Sequence, residues 1–239
     1  GLDNSQFLAP NPRALAWGWS DTKKIRNQWQ LWRFFTPTLL HGHLEHIVGN
    51  LFGQIYMGSG IESGLGFWRF AFLYILTGLG GITLSMCVRP NAHGVGASTA
   101  VFGLVGFLIS YIFTNWSDMG RREFRQKIYL IIFTSILVLM NLNIGPKADS
   151  KIDNFGHLGG LITGIIAGFA ISEQYDSEAR SKNRTPDRFT EEDYKSRSGC
   201  CVFFNRFCQV LLLLWFTALF VYFYAFMDID FEEDPDDEV

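Results

Sequence analysis

At 239 residues the chain is 48% hydrophobic, with 23 phenylalanines and 7 tryptophans, and its charges fall into a few blocks that sum to -3 at pH 7. Long charge-free runs such as 128–142 and 210–227 exclude an ordinary soluble bundle, whose helices keep a charged face toward water. The basic loops lack interleaved aromatics, no phosphate-cradling loop is present and no cysteines stand at paired metal-ligand spacing, so nucleic-acid binding, nucleotide chemistry and a structural metal have no support.

The apolar runs are 44–57, 67–86, 98–113, 128–142, 155–171 and 207–227, six spans that predict an all-α, polytopic membrane helical bundle. Several fall short of the ~20 residues that cross a bilayer, which predicts short helices whose ends sit in protein or water. Residues 1–38 precede the first span as a polar, proline-bearing segment with Trp17, Trp19, Trp29, Trp32, Phe34 and Phe35. Tryptophans at that density predict a segment lying at the membrane interface, with an ordinary extramembrane loop as the alternative. The chain opens on Gly1, without a signal-like apolar stretch, and is expected to be a piece of a longer protein.

The first span opens Leu39-Leu40-His41-Gly42-His43-Leu44-Glu45-His46-Ile47-Val48-Gly49-Asn50. So many polar groups entering a membrane helix are expensive to desolvate and call for a function. His46 and Asn50 lie one turn apart on one face, and both can donate hydrogen bonds. A metal held by His41, His43 and His46 is the alternative, but the His-Glu-x-x-His pattern is absent and no acidic ligand follows in a later span.

The second span carries Gly78, Gly80 and Gly81. The third follows Gly94-Val-Gly96-Ala97-Ser98 and places Ser98 in its first turn, beside backbone N–H groups that a helix leaves unpaired. An attacking serine benefits there, although a simple helix cap reads the same. Phe102 lies one turn below Ser98, as core packing or as a brace for a partner side chain. In the fifth span Asp153 or Asn154 predicts an N-cap and His157 falls in the first turn, sharing a sector of about 80° with Gly160, Gly164 and Gly168. Glycines on the histidine's own face admit a close neighbour, and if that neighbour is the Ser98 helix, serine meets histidine. A buried structural histidine is the competing reading.

These stretches, in their order and spacing, resemble the rhomboid family of intramembrane serine proteases over residues 30–172, and its secretory-pathway members with a seventh helix after a six-helix core. Trp32-Arg33, the His41/His46/Asn50 pattern, Glu62, Gly96-Ala97-Ser98-Thr99 and His157-Leu158-Gly159-Gly160 carry the resemblance. It implies that Ser98 is the nucleophile and His157 the general base of a Ser-His dyad. His46 and Asn50 with the Ser98 N–H are then the oxyanion donors, while Gly96, Phe102, Gly160, Trp32, Arg33, His41 and Glu62 support them. Asp153 is read as a cap. The implied substrates are single-span membrane proteins in the lipid bilayer, with no metal or cofactor; a non-catalytic relative that binds membrane clients is the alternative class.

Thr99 stands where the family has glycine, alanine or serine, which predicts a tighter turn at the nucleophile, and the family's first helix is expected to lie ahead of this chain. The implied organisation is an interfacial segment at 1–38, the rhomboid core at 39–172, a basic loop at 173–206, an extra helix at 207–227 and an acidic tail at 228–239. Arg121, Arg122, Arg125 and Lys127 follow the Ser98 span, and a larger cationic set follows the His157 span. By the positive-inside rule that face is cytosolic, so the Ser98 and His157 ends face the lumen or cell exterior, in a Golgi, plasma or other secretory membrane. Asn115-x-Ser117 and Asn183-x-Thr185 are sequons on the cytosolic side. Cys200 and Cys201, just before the last span, stand where palmitoylation is permitted.

Overall fold

A computed structural model describes residues 12–42, 44–116, 153–171 and 199–228, with isolated positions at 125, 129 and 132. The predicted span 128–142, His43, the Glu45 side chain, Asn183 and most of the basic loop and acidic tail lie outside the described residues. Two short helices, α1 (Pro12–Gly18) and α2 (Thr22–Gln28), and two 3-10 turns, Leu31–Phe34 and Thr36–Leu39, form the aromatic-rich N-terminal segment. Asp21 caps α2 by accepting from Lys24 N at 2.9 Å, and Trp29, left-handed at φ 55, ends it. Among the described residues the one extended pairing is an isolated bridge between Ser20 and Gly94.

The first span is longer than its apolar run. Helix α3 (Leu44–Gly53) passes through a π-turn (Gln54–Gly58) into α4 (Ser59–Leu65), and only Gly66, at φ 80, stops it. Gly58-Ser59-Gly60 reads as a breaker in sequence, yet Ser59 Oγ donates to Ile55 O at 2.7 Å and Ser63 Oγ to Gly60 O at 2.9 Å. Hydroxyls satisfied by their own helix let it continue in apolar surroundings. The remaining helices are α5 (Phe67–Val88), α6 (Ser98–Thr114), α7 (Asn154–Ile171) and α8 (Gly199–Val221), the last prolonged by a π-turn (Tyr222–Phe226). α8 begins well before the apolar run at 207 because Asn205, Arg206 and Gln209 are tolerated on its exposed first turns, where Arg206 Nη1 donates to Gln209 Oε1 at 3.0 Å.

Among the described residues three helices are long and apolar enough to cross a membrane: Phe67–Val88, Asn154–Ile171 and Gly199–Phe226. α6 is apolar but shorter, as the sequence predicts for helices whose ends stop inside protein.

α6 and α7 form the centre, joined by main chain. A Cβ placed on Gly160 would overlap the Thr99 carbonyl, one on Gly164 the Gly103 carbonyl, and one on Gly106 the Leu161 carbonyl. Reciprocal glycines of this kind let two helix axes approach until backbone meets backbone. α5 joins the pair by the same device: an added Cβ on Gly159 would lie 2.9 Å from Gly80 O. Thr99 finds its space here too, since Cβ atoms on Gly81 and Gly156 would lie 2.8 and 2.9 Å from its side chain. The expected crowding after the nucleophile is thus taken up by glycines on α5 and α7.

Candidate active site

The site is assembled at the N-terminal ends of α6 and α7. Asp153 begins α7 by accepting Gly156 N–H at 2.9 Å, while its carbonyl accepts His157 N–H at 3.0 Å. The same carboxylate oxygen accepts Ser85 Oγ–H of α5 at 2.7 Å. His157 is therefore fixed at the first turn of a capped helix, with its ring 4.4 Å from and nearly parallel (15°) to Phe102. That stack directs Nε2 to Ser98 Oγ, at 2.7 Å. His157 is 8% exposed and its Nδ1 has no hydrogen-bond partner. A hydroxyl and an imidazole at this distance, shielded from water, are what proton abstraction from serine requires.

The loop before Ser98 is held from outside. Gly96, at φ 129, takes a conformation that a side chain rarely adopts, and an added Cβ would lie 2.5 Å from His46 Cε1. Gly96 N–H donates to Pro37 O at 2.8 Å, and Ala97 N–H reaches His41 Nε2 at 3.4 Å. His41 can accept there only when neutral, and burial lowers its pKa below the ordinary 6.5 by penalising the charged ring. Its ring meets His46 edge to face at 5.2 Å.

Asn50, one turn along α3 from His46, is 7% exposed and its Nδ2 has no partner. Buried donors are normally satisfied, so an unpaired amide on the site's own helix is a vacant donor.

Arg33 is buried among carbonyls, its Nη1 donating to Ala16 O at 2.9 Å and Trp19 O at 3.0 Å. Burial lowers its pKa and Asp21 counteracts this. Trp32 stacks on Trp17 with centroids 6.1 Å apart. These two residues build the N-terminal segment and do not touch Ser98. Glu62 sits in α4, about 24 Å along the helix from His46 at 1.5 Å per residue, and is not brought to the site. Among the described residues no three His, Cys, Asp or Glu side chains come together as metal ligands.

Several contributors escape sequence reasoning. Ser85 and Pro37 act through single bonds to partners distant in sequence. Ser20 acts through several, its Oγ accepting Gly94 N–H at 2.9 Å and its own N–H donating to Gly94 O at 3.0 Å. None belongs to a motif, and a polar group facing the start of a membrane helix is the one signal that points to Ser85.

A helical membrane bundle with a serine and a histidine joined at the starts of two glycine-packed helices defines a class, and comparison with known proteins specifies it. Residues 28–174 match the rhomboid domain. The chain is 33% identical over 195 residues to "RHOMBOID-like protein 6, mitochondrial" of Arabidopsis thaliana, covering 76% of this chain and 61% of that protein. It is 30% identical over 210 residues to "RHOMBOID-like protein 7" of the same plant, covering 87% and 60%. To "Rhomboid-like protease 1" of Toxoplasma gondii it is 33% identical over 182 residues, covering 76% and 59%. The chain belongs to the rhomboid family and is an integral membrane protein. It spans about three fifths of the length of these relatives.

Proposed function

We propose that this chain carries the active site of an intramembrane serine endopeptidase. The observation that carries the reading is the 2.7 Å contact between Ser98 Oγ and His157 Nε2. In this reading His157 takes the hydroxyl proton as Ser98 Oγ attacks the scissile carbonyl, and a tetrahedral oxyanion forms. Asn50 Nδ2, His46 and the Ser98 N–H receive it; one such donor contributes roughly 3 to 4 kcal/mol of barrier reduction in a dry pocket. The imidazolium gives its proton to the leaving amine, breaking the peptide bond, and water then hydrolyses the acyl-Ser98 ester with His157 again as base. The unpartnered Nδ1 of His157 supports a dyad, with Asp153 engaged in capping α7 and bonding Ser85.

The substrates are single-span membrane proteins, cut near the extramembrane end of their helix, because the dyad opens at the ends of α6 and α7. Charge distribution supports a lumenal or exterior site. The Asn115 sequon bears less on this orientation than its sequence suggests: the side chain is fully buried and donates to Tyr111 O at 3.0 Å, closing it to glycosylation in the folded chain.

The test is labelling of the detergent-purified chain with a fluorophosphonate serine probe, with Ser98→Ala and His157→Ala in parallel. Labelling of the parent and its loss in both variants is expected. Undiminished labelling of His157→Ala would overturn the dyad.

A further inference from the structure

α8 lies outside the residues that the proposed chemistry uses. Along most of its length it leans on the back of the bundle: Trp215 Nε1 donates to Thr163 Oγ1 at 3.0 Å and Gln209 Nε2 to Ala170 O at 3.2 Å. Its last turns do something different. Leu219, Phe223 and Met227 join Ile25 and Phe34 of the N-terminal segment, with Ile82, Met86 and Cys87 of α5, in one buried cluster. The Phe34 ring lies 5.5 Å from that of Phe220 and 5.6 Å from that of Phe223, which is fully buried. Arg26 Nη1 donates to Met227 O at 2.6 Å, a cation placed where a helix end leaves carbonyls unpaired.

The clamped segment is the one that holds the catalytic loop. Three residues beyond Phe34, buried Pro37 accepts the Gly96 N–H at 2.8 Å, two residues before Ser98. Between them run 3-10 turns pinned by Thr36 Oγ1 to Gly18 O at 2.6 Å, which leaves little slack. Displacement of Phe34 is passed to Pro37 and from there to Gly96, which packs so tightly on His46 that an added Cβ would lie 2.5 Å from Cε1.

We infer that α8 is a brace for the nucleophile loop. Its C-terminal turns hold residues 25–39 in place through Arg26 and Phe34, and that segment sets Gly96 and so the approach of Ser98. Arg26, Phe34 and Phe223 are positioning residues for a reaction that they do not touch. The inference rests on the protease reading.

The test uses the whole chain in detergent with Arg26→Met, which keeps the apolar stem and removes the donors, Arg26→Lys, which keeps a donor, and Phe223→Ala. Two quantities are read: the maximal rate and half-saturating concentration of fluorophosphonate labelling, and hydrogen–deuterium exchange of residues 93–97. Arg26→Met is expected to lower the maximal rate about fivefold without changing half-saturation, since misplacing a reacting group slows chemistry more than binding. Residues 93–97 exchange faster while α6 and α7 keep their protection. Arg26→Lys stays within about twofold of the parent, and Phe223→Ala loses about tenfold or more. If Phe223→Ala does not fold, the Arg26 pair decides. Unchanged exchange at 93–97 in Arg26→Met, or a rise spread evenly over the protein, overturns the brace. A parent that never labels, with exchange at 93–97 still responding, sinks the protease reading and leaves the brace standing.

Discussion

The two halves of the candidate site ride on helices held in opposite ways. α6 and α7, which carry Ser98 and His157, meet through main chain, with glycines on each helix seated against carbonyls of the other. α3, which carries His46 and Asn50, meets α6 through side chains: an added Cβ on Gly53 would lie 3.0 Å from Val101 Cγ1, and Met57 packs with Val101 and Val105. Much of its remaining surface is exposed, including Val48, Leu51 and Phe52, and its continuation is a π-turn. Backbone contacts cannot relax by a change of rotamer, whereas side-chain contacts can. The serine–histidine distance is thus set by main chain resting on main chain, and His46 and Asn50 approach on a more adjustable element.

Breaking the stiff half should have the largest effect. Gly164→Leu forces a side chain into the Gly103 carbonyl and is expected to cost about 3 kcal/mol or more in stability and to abolish fluorophosphonate labelling. Unfolding in graded denaturant and the labelling assay would read both, and a labelled, stable variant would remove the basis for the comparison. At Gly49 on α3, by contrast, an added Cβ meets nothing within 4 Å. Gly49→Ala should therefore leave labelling intact and change stability by no more than about 1 kcal/mol, in the stabilising direction.

The adjustable half sharpens the comparison at smaller scale. Asn50→Ala removes a buried, unpaired donor and should lower peptide-bond hydrolysis roughly a hundredfold. Stability should change little, because no protein hydrogen bond is lost; a rate within threefold of the parent would assign the oxyanion to other groups.

The smallest effect concerns acid. His41 has its pKa lowered by burial, so its folded form resists protonation more than its unfolded form. The stability it contributes is present above the unfolded value near 6.5 and is lost as pH falls through the lower folded value. Protonation also ends its acceptance of the Ala97 N–H. His41→Gln, which keeps an acceptor and does not titrate, should flatten the acid side of thermal stability; an unchanged acid limb of the melting temperature would argue against a neutral His41 in the folded chain.

What the sequence made legible follows from range. Helical periodicity puts His157 on one face with Gly160, Gly164 and Gly168, and places Phe102 one turn below Ser98, so the α6–α7 seam could be read from local spacing. The Asp153 cap is equally local, three residues from its donor. The N-terminal segment was opaque because its order is carried by carbonyls: nothing in the spelling of Arg33 announces Ala16 O and Trp19 O as its acceptors. The extension of the first helix beyond Met57 into Ser59–Leu65 was hidden by Gly58-Ser59-Gly60, whose hydroxyl turns inward to its own helix. Glu62 was assigned to the site by resemblance and lies in α4, at the other end of that helix.

The carbonyl-to-glycine seats between α6 and α7 also have a mechanical meaning. Two helices resting on each other's main chain tilt as one plank, so a thicker or thinner bilayer reorients Ser98 and His157 together and leaves their 2.7 Å separation alone. α3, resting on side chains, answers the same stress with its own tilt. A change of bilayer thickness is therefore expected to alter the placing of His46 and Asn50 against Ser98 before it alters the Ser98–His157 distance.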